Sequence, residues 1–401
     1  MVKNKIGAGI FLLAVLLVSM VFLPAVSAQK EEDYSITAEE AFKHANANMI
    51  SFIAANEPNF ENWIGASIDP KPQELYDING QKLFYQFSVY NGKKLVGIID
   101  ICASKNLGYP LNDISFDPEP YKVAEAMKRS EKIAKNEYLE GEIKSTIMVV
   151  YSYPSIGAMT IVKDKTTGDE HRIFVDAYTL KEVQDKPVTE AEPGVWSMYE
   201  MKLGNGVEKN LNEWKKSDQL IKSIEQAAAN KEVNIDAAVS EEDIKKLGGD
   251  AAITASTSVK LGVPLRGQTL DIYCGEASIQ MISLYYKYPT PSQDSIYDYF
   301  FDSRDQPSGL RIDEMIKWAE DKWGKTGSLD TSLTDPEVVT EIRTHRPFYS
   351  IIPGHFRVCQ GYLVRNGCLY LYINDPLPVG SSGTPKIELV SNQETKRIYV
   401  R

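Results

Sequence analysis

Gln268-Thr269-Leu270-Asp271-Ile272-Tyr273-Cys274-Gly275-Glu276-Ala277-Ser278 is the stretch from which the rest of the chain is most easily read. Up to Tyr273 it shows no helical period. After Cys274 apolar residues recur at helical spacing. Ala277, Met281, Leu284 and Tyr285 share one face, and Ile279, Ile282 and Tyr286 extend it nearly all round. A helix apolar on most sides belongs in a core. Cys274 therefore stands at the start of a buried helix, where unpaired amides and the helix dipole favour a thiolate. Gly275 leaves the backbone beside the sulfur uncrowded. A cysteine before an apolar helix is, taken alone, most often a small buried side chain. A thiolate at a helix tip is also a competent nucleophile.

Two further features bear on that choice. Gln268 lies six residues before Cys274, and its side-chain amide could join the Cys274 backbone N–H in holding a developing oxyanion. A solitary Gln is more often a solvated loop residue. The second feature is His355. Arg346 to Ile352 reads as a strand, Pro353-Gly354 as a turn, and His355 to Val364 as the returning strand. Asn366-Gly367 turns the chain again, and Leu369 to Ile373 forms a third strand that runs into Asn374-Asp375-Pro376. An acid or amide there could orient the imidazole and fix its tautomer. A plain hairpin leaves His355 and Asp375 offset, so the pairing requires a bulge. His44, His171 and His345 lie in a helix, a charged turn and a helix end, so they are weaker candidates.

Taken together, these residues resemble the papain-like cysteine peptidase superfamily, and in particular its double-glycine-peptidase-like branch. The likeness covers residues 261–401. It rests on Gln268, Cys274-Gly275, Gly354-His355-Phe356 and Asp375-Pro376, in that order along the chain. An amphipathic helix through Ile312, Met315, Ile316, Ala319 and Trp323, and a second helix opened by Asp335-Pro336, fit between them. The departures are Glu276, where that branch commonly has proline, and Asn374 beside Asp375. Papain itself uses Asn as the third member and the branch uses Asp. Asp375 is preferred on the Asp-Pro match, with Asn374 as the alternative. The resemblance implies a papain-like α+β fold. It also implies amide hydrolysis by Cys274, His355, Asp375 and Gln268 through a thioester, with a protein or peptide substrate and no cofactor. A cell-wall amidase or acyl transferase could use the same groups, and a non-catalytic envelope binding module could keep the same shape.

The rest of the chain frames this segment. With 401 residues it is long enough for two domains. A formal charge of −11 with no Lys/Arg block argues against nucleic-acid binding. Lys3 and Lys5, an apolar run from Ile6 to Leu23 and Val26-Ser27-Ala28 read as a cleavable leader over residues 1–28. The expected location is secreted or in the cell envelope, with membrane attachment only if the leader stays on. Residues 29–185 read as an α+β domain of helix and meander, ahead of a helical linker over residues 186–260. That domain is expected to contact the catalytic segment as a docking module or as the pro-region of a self-processing zymogen. Its Ile173-Phe174-Val175-Asp176-Ala177 resembles the closing strand of PepSY-type domains. Ala251 to Lys260 reads as a soft, unpatterned linker. Disulfides are not expected: the Asn366-Gly367 hairpin holds Cys359 away from Cys368, and Cys102 ends a strand-like run, where a free Cys is often simply buried. Neither metal-ligand spacings nor nucleotide-binding glycine patterns occur.

Overall fold

The computed structural model describes residues 34–203, 206–235, 238–303, 308–390 and 394–401. Residues 36–401 cluster as one compact unit. The leader expected over residues 1–28 lies outside the described residues. No described helix is long and apolar enough to cross a membrane.

The chain opens with α1 (Ala38–Ala54), capped by Thr37, whose hydroxyl accepts the Glu40 N–H at 3.1 Å. The meander β1 (Ser67–Ile68), β2 (Gln73–Asp77), β3 (Lys82–Asn91), β4 (Lys94–Cys102) and β5 (Leu111–Phe116) follows. Then come α2 (Val123–Glu137), β6 (Gly141–Ser152), β7 (Ser155–Asp164), β8 (Glu170–Asp176) and β9 (Glu182–Val183). A helical stretch holds α3 (Met198–Leu203), α4 (Val207–Asn230), α5 (Glu241–Leu247) and α6 (Ala251–Thr254), and leads to β10 (Ser256–Lys260). The last part contains α7 (Cys274–Tyr285), α8 (Gln293–Phe300), α9 (Ile312–Trp323), β11 (Gly327–Asp330) and α10 (Asp335–Arg343). It ends in β12 (Phe348–Ile352), β13 (His355–Arg365), β14 (Cys368–Asp375), β15 (Thr384–Leu389) and β16 (Lys396–Val400). The fold class is α+β.

Among the described residues these strands join one continuous sheet in the order β11-β16-β12-β13-β14-β15-β5-β4-β3-β2-β6-β7-β8-β9, with β1 on β3 and β10 on β13. The seam between the two ends of the chain is β15 on β5, where Lys386, Ile387 and Glu388 pair with Ser115, Ile114 and Asp113. The hydrophobic core crosses it too. Tyr370, Tyr372 and Ile387 pack in one cluster with Phe52, Phe60 and Ile114. A second cluster holds α7, α9 and α10 against β12, β13, β14 and β16 through residues such as Met281, Met315, Ile342, Val358 and Ile373.

The expected partition at residues 185 and 260 is therefore crossed by strand pairing. The soft linker at Ala251 to Lys260 needs correction. It is α6 followed by β10, and Ser256 to Lys260 pair with Arg365 to Gly361. Its small polar residues show no alternation because β10 is only partly buried along its length. The bulge that the sequence required lies in β13. The hairpin starts in the expected register, Arg365 opposite Cys368, and slips by one residue between Gly361 and Cys359. At Gly361 a Cβ would lie 2.5 Å from the Val259 carbonyl oxygen, so only glycine lets β10 approach there.

Candidate active site

Parity explains how β13 and β14 assemble the site. In an unbroken hairpin Asp375 would face Val358, three residues from His355, and so on the opposite side of the sheet. The extra residue at the bulge sets Asn374 opposite Val358. One step further, Asp375 comes beside Arg357, two residues from His355 and on its face. The His355 ring Nε2 meets Asp375 Oδ1 at 2.8 Å. The Leu377 N–H donates to the same oxygen at 3.0 Å. Asn374 points elsewhere: its amide donates to the Val263 carbonyl at 2.9 Å and accepts from the Gln360 amide at 2.5 Å. Asp375 is thus the partner of His355, and Asn374 is committed to holding the strand.

His355 opens β13 because Pro353-Gly354 turns the chain between Ile352 and His355, with Gly354 at φ +67°. The α7 helix packs its first turn against that point. Cys274, the first residue of α7, takes the Phe356 N–H on its sulfur at 3.4 Å. Its thiol also interacts with the His355 side chain. Since Nε2 is held by Asp375, Nδ1 is the ring nitrogen left for the thiol. Burial lowers the pKa of His355, but the Asp375 carboxylate, and to a lesser degree Cys274, outweigh burial and raise it to about 9. Burial pushes the Asp375 carboxyl up, while His355, then Lys386 and Arg357, bring it down to about 2. An imidazolium–carboxylate pair is therefore the resting state at neutral pH.

Gln268 is buried beside them, on a segment strapped to the loop after Asp375. Its N–H donates to the Pro376 carbonyl at 3.0 Å, and its carbonyl accepts from Gly380 N–H at 2.8 Å. The neighbouring Gly267 must be glycine, since a Cβ there would lie 1.9 Å from the Ser381 carbonyl oxygen. The Gln268 side-chain NH2 donates to the carbonyls of Leu270 and Asp271 at 2.8 and 3.0 Å. To hold an oxyanion it must release one of them. The Cys274 N–H, in the first turn of α7, has no partner within the helix. Glu276, where the sequence departs from the resembled pattern, is completely buried, and neither carboxyl oxygen has a hydrogen-bond partner. Burial pushes its carboxyl well up, and Cys274 and Glu314 add to this.

Sequence reasoning missed three parts of the site. One is the Phe356 N–H on the sulfur, a backbone group that carries no sequence signal. Another is a buried network that ties β13 across the seam. Arg357 donates to Glu388 at 2.8 Å and to Ser350 at 3.0 Å, while Tyr153 OH donates to Asp113 at 2.5 Å and to Glu388 at 3.2 Å. The third is a cavity of about 320 Å³, bounded by Gln268, His355 and Leu377 on one side and by Asp113, Tyr151 and Tyr153 on the other. All four cysteines are free and buried. Among the described residues no group of three His, Cys, Asp or Glu side chains could hold a metal ion.

No protein-family model matches the chain, and no curated protein matches it. Among solved structures it is similar to one described as a "putative C39-like peptidase" from Bacillus anthracis. The identity is 16%, over 36% of this chain and 98% of that chain, with a TM-score of 0.29. The likeness is distant and partial, and it decides nothing about the chemistry of the site.

Proposed function

We propose that this chain is a cysteine-dependent amide hydrolase, a peptidase of papain-like mechanism, exported by its leader to the cell envelope or beyond. The observation that carries the reading is His355, buried between the Asp375 carboxylate at 2.8 Å and the Cys274 thiol at the tip of a core helix. In the reaction, the thiol proton resides on His355 Nδ1 and the thiolate attacks the amide carbonyl carbon. The carbonyl π electrons move to oxygen, which the Cys274 N–H stabilises, joined by Gln268 once its amide is freed. Collapse breaks the C–N bond, and His355 gives its proton to the departing amine. Water, deprotonated by His355, then attacks the thioester. Collapse breaks the C–S bond, the acid leaves, and the thiolate stands again beside the protonated His355. Asp375 holds the ring with Nε2–H toward itself throughout.

Selective alkylation tests this. Iodoacetamide near neutral pH should modify Cys274 far faster than the other three cysteines. Burial pushes the thiols of Cys359 and Cys102 up, and burial with Glu213 does so for Cys368. Hydrolysis of a mixed fluorogenic peptide library should disappear in Cys274→Ala. Slow and equal modification of all four thiols, with turnover unchanged in Cys274→Ala, would sink the reading.

A further inference from the structure

One face of the sheet carries a file of polar side chains across the seam. Gln86 on β3 lies opposite Asp100 on β4, Asp100 opposite Asp113 on β5, and Asp113 opposite Glu388 on β15. One pleat along, Lys386 on β15 pairs with Ile373, two residues from Asp375 and on the same face. The file therefore ends where His355 and Asp375 stand. The cavity of about 320 Å³ lies over it, with Asp100, Asp113 and Lys386 on its lining together with His355, and with Tyr151, Tyr153 and Tyr178 among its walls.

The charges in this floor do not balance. Glu388 is taken by Arg357 at 2.7 Å, and Asp375 by His355 at 2.8 Å. Asp100 and Asp113 remain, and Lys386 is the cation near them. Its ammonium lies 5.2 Å from the centre of the Tyr153 ring and makes no ion pair among the described residues. Asp100 is 6% and Asp113 1% exposed, and Oδ1 of each has no hydrogen-bond partner. In the floor of the cavity two buried carboxyls thus face a single lysine. Burial and the neighbouring Asp113 push the Asp100 carboxyl well up.

We propose that this cavity is a specificity pocket for a basic side chain, lysine or arginine, next to the amide that the site cleaves, and that the N-terminal half is a permanent wall of the site. The ammonium or guanidinium would sit between Asp100 and Asp113, donating to the unpartnered Oδ1 of each. The methylenes would lie along the tyrosine rings. The inference rests on the hydrolase reading for the word "cleaves" but not for the binding itself.

The test uses the full chain carrying Cys274→Ala, which binds without turning over. Calorimetric titration would compare blocked peptide amides that differ only in lysine or norleucine. The lysine peptide should bind at least about tenfold more tightly, the scale of one charge-assisted hydrogen bond. That ratio should collapse in Asp100→Asn and in Asp113→Asn, each checked for an intact thermal transition. Equal binding of the two peptides, no binding of either, or a ratio unchanged in both variants would overturn the pocket. The two readings fail separately. Lysine selectivity with an unreactive Cys274 defeats only the hydrolase, and a reactive, hydrolytic Cys274 with no lysine selectivity defeats only the pocket.

Discussion

Replacing Asp375 by Asn removes one charge and leaves the shape. The amide oxygen can still accept from His355 Nε2–H and from Leu377 N–H, which bind Asp375 at 2.8 and 3.0 Å. What changes is the ionic pair. His355 rises from 6.5 to about 9 in the folded protein, and Asp375 falls from 3.8 to about 2. At about 1.4 kcal/mol per pH unit, the first corresponds to roughly 3 kcal/mol and the second to roughly 2 kcal/mol. These are one pair seen from its two ends and are not added. The smaller is preferred, because Cys274 also contributes to the His355 rise. A raised imidazole stabilises the fold fully below pH 6.5 and loses that contribution as pH climbs through about 9. A lowered carboxyl stabilises fully above pH 3.8 and loses its share as pH falls through about 2. Asp375→Asn should therefore cost on the order of 2 kcal/mol at pH 6 and much less at pH 9.5. Urea unfolding followed by tryptophan fluorescence at the two pH values measures this. The His355 Cε1 proton, one of four histidine signals, should titrate far below 9 in the variant. An equal loss of stability at both pH values, or a ring that still titrates near 9, refutes the claim that the Asp375 charge holds the imidazolium.

Two other perturbations probe the frame. Arg357→Met leaves Glu388 buried without its cation and should cost about 3–5 kcal/mol in urea unfolding, with most of it recovered in Arg357→Met/Glu388→Leu. If the single and double variants are equally unstable, the pair does not brace the seam. His44 lies buried in α1 with Nδ1 2.8 Å from Ser217 Oγ, Nε2 3.7 Å from Asp218 and Lys105 nearby. Burial, and then the Lys105 charge, lower it from 6.5 to about 4, so stability should decline as pH falls from 6.5 through 4, by on the order of 3 kcal/mol. In His44→Asn that acid decline should shrink in thermal unfolding at pH 7 and pH 4.5, and an undiminished decline would mean other groups cause it.

The site was legible where its signal was local. Cys274 before an apolar helix, a Pro-Gly turn ahead of His355 and the Asn366-Gly367 hairpin are each written within a few residues. The hairpin arithmetic even required the bulge. It could not say where the extra residue falls, because that depends on β10 approaching Gly361 from elsewhere in the chain. Gln268 was found, but its donors were not seen to be taken by Leu270 and Asp271, since both carbonyls belong to a loop with no pattern of its own. The helices α7, α9 and α10 and the strands β12, β13 and β14 were readable from caps, turns and periods. The seam was not. Nothing local in Thr384 to Leu389 names Leu111 to Phe116 as its neighbour, and an alternating strand reads the same whichever edge it joins. The charged file across the seam was hidden for the same reason: Asp100, Asp113, Lys386 and Glu388 look like ordinary solvated residues until the register stacks them.

The same seam sets a constraint on how the chain reaches its native state. Ile114 pairs with Ile387, so during synthesis β5 waits with an open edge until almost the whole polypeptide has emerged. Such an edge is a template for pairing with other molecules. A shortened version ending before Thr384 would keep that edge permanently, and a version beginning after Phe116 would expose β15 instead. Either truncation should favour aggregates, so the two halves are best regarded as partners that mature together.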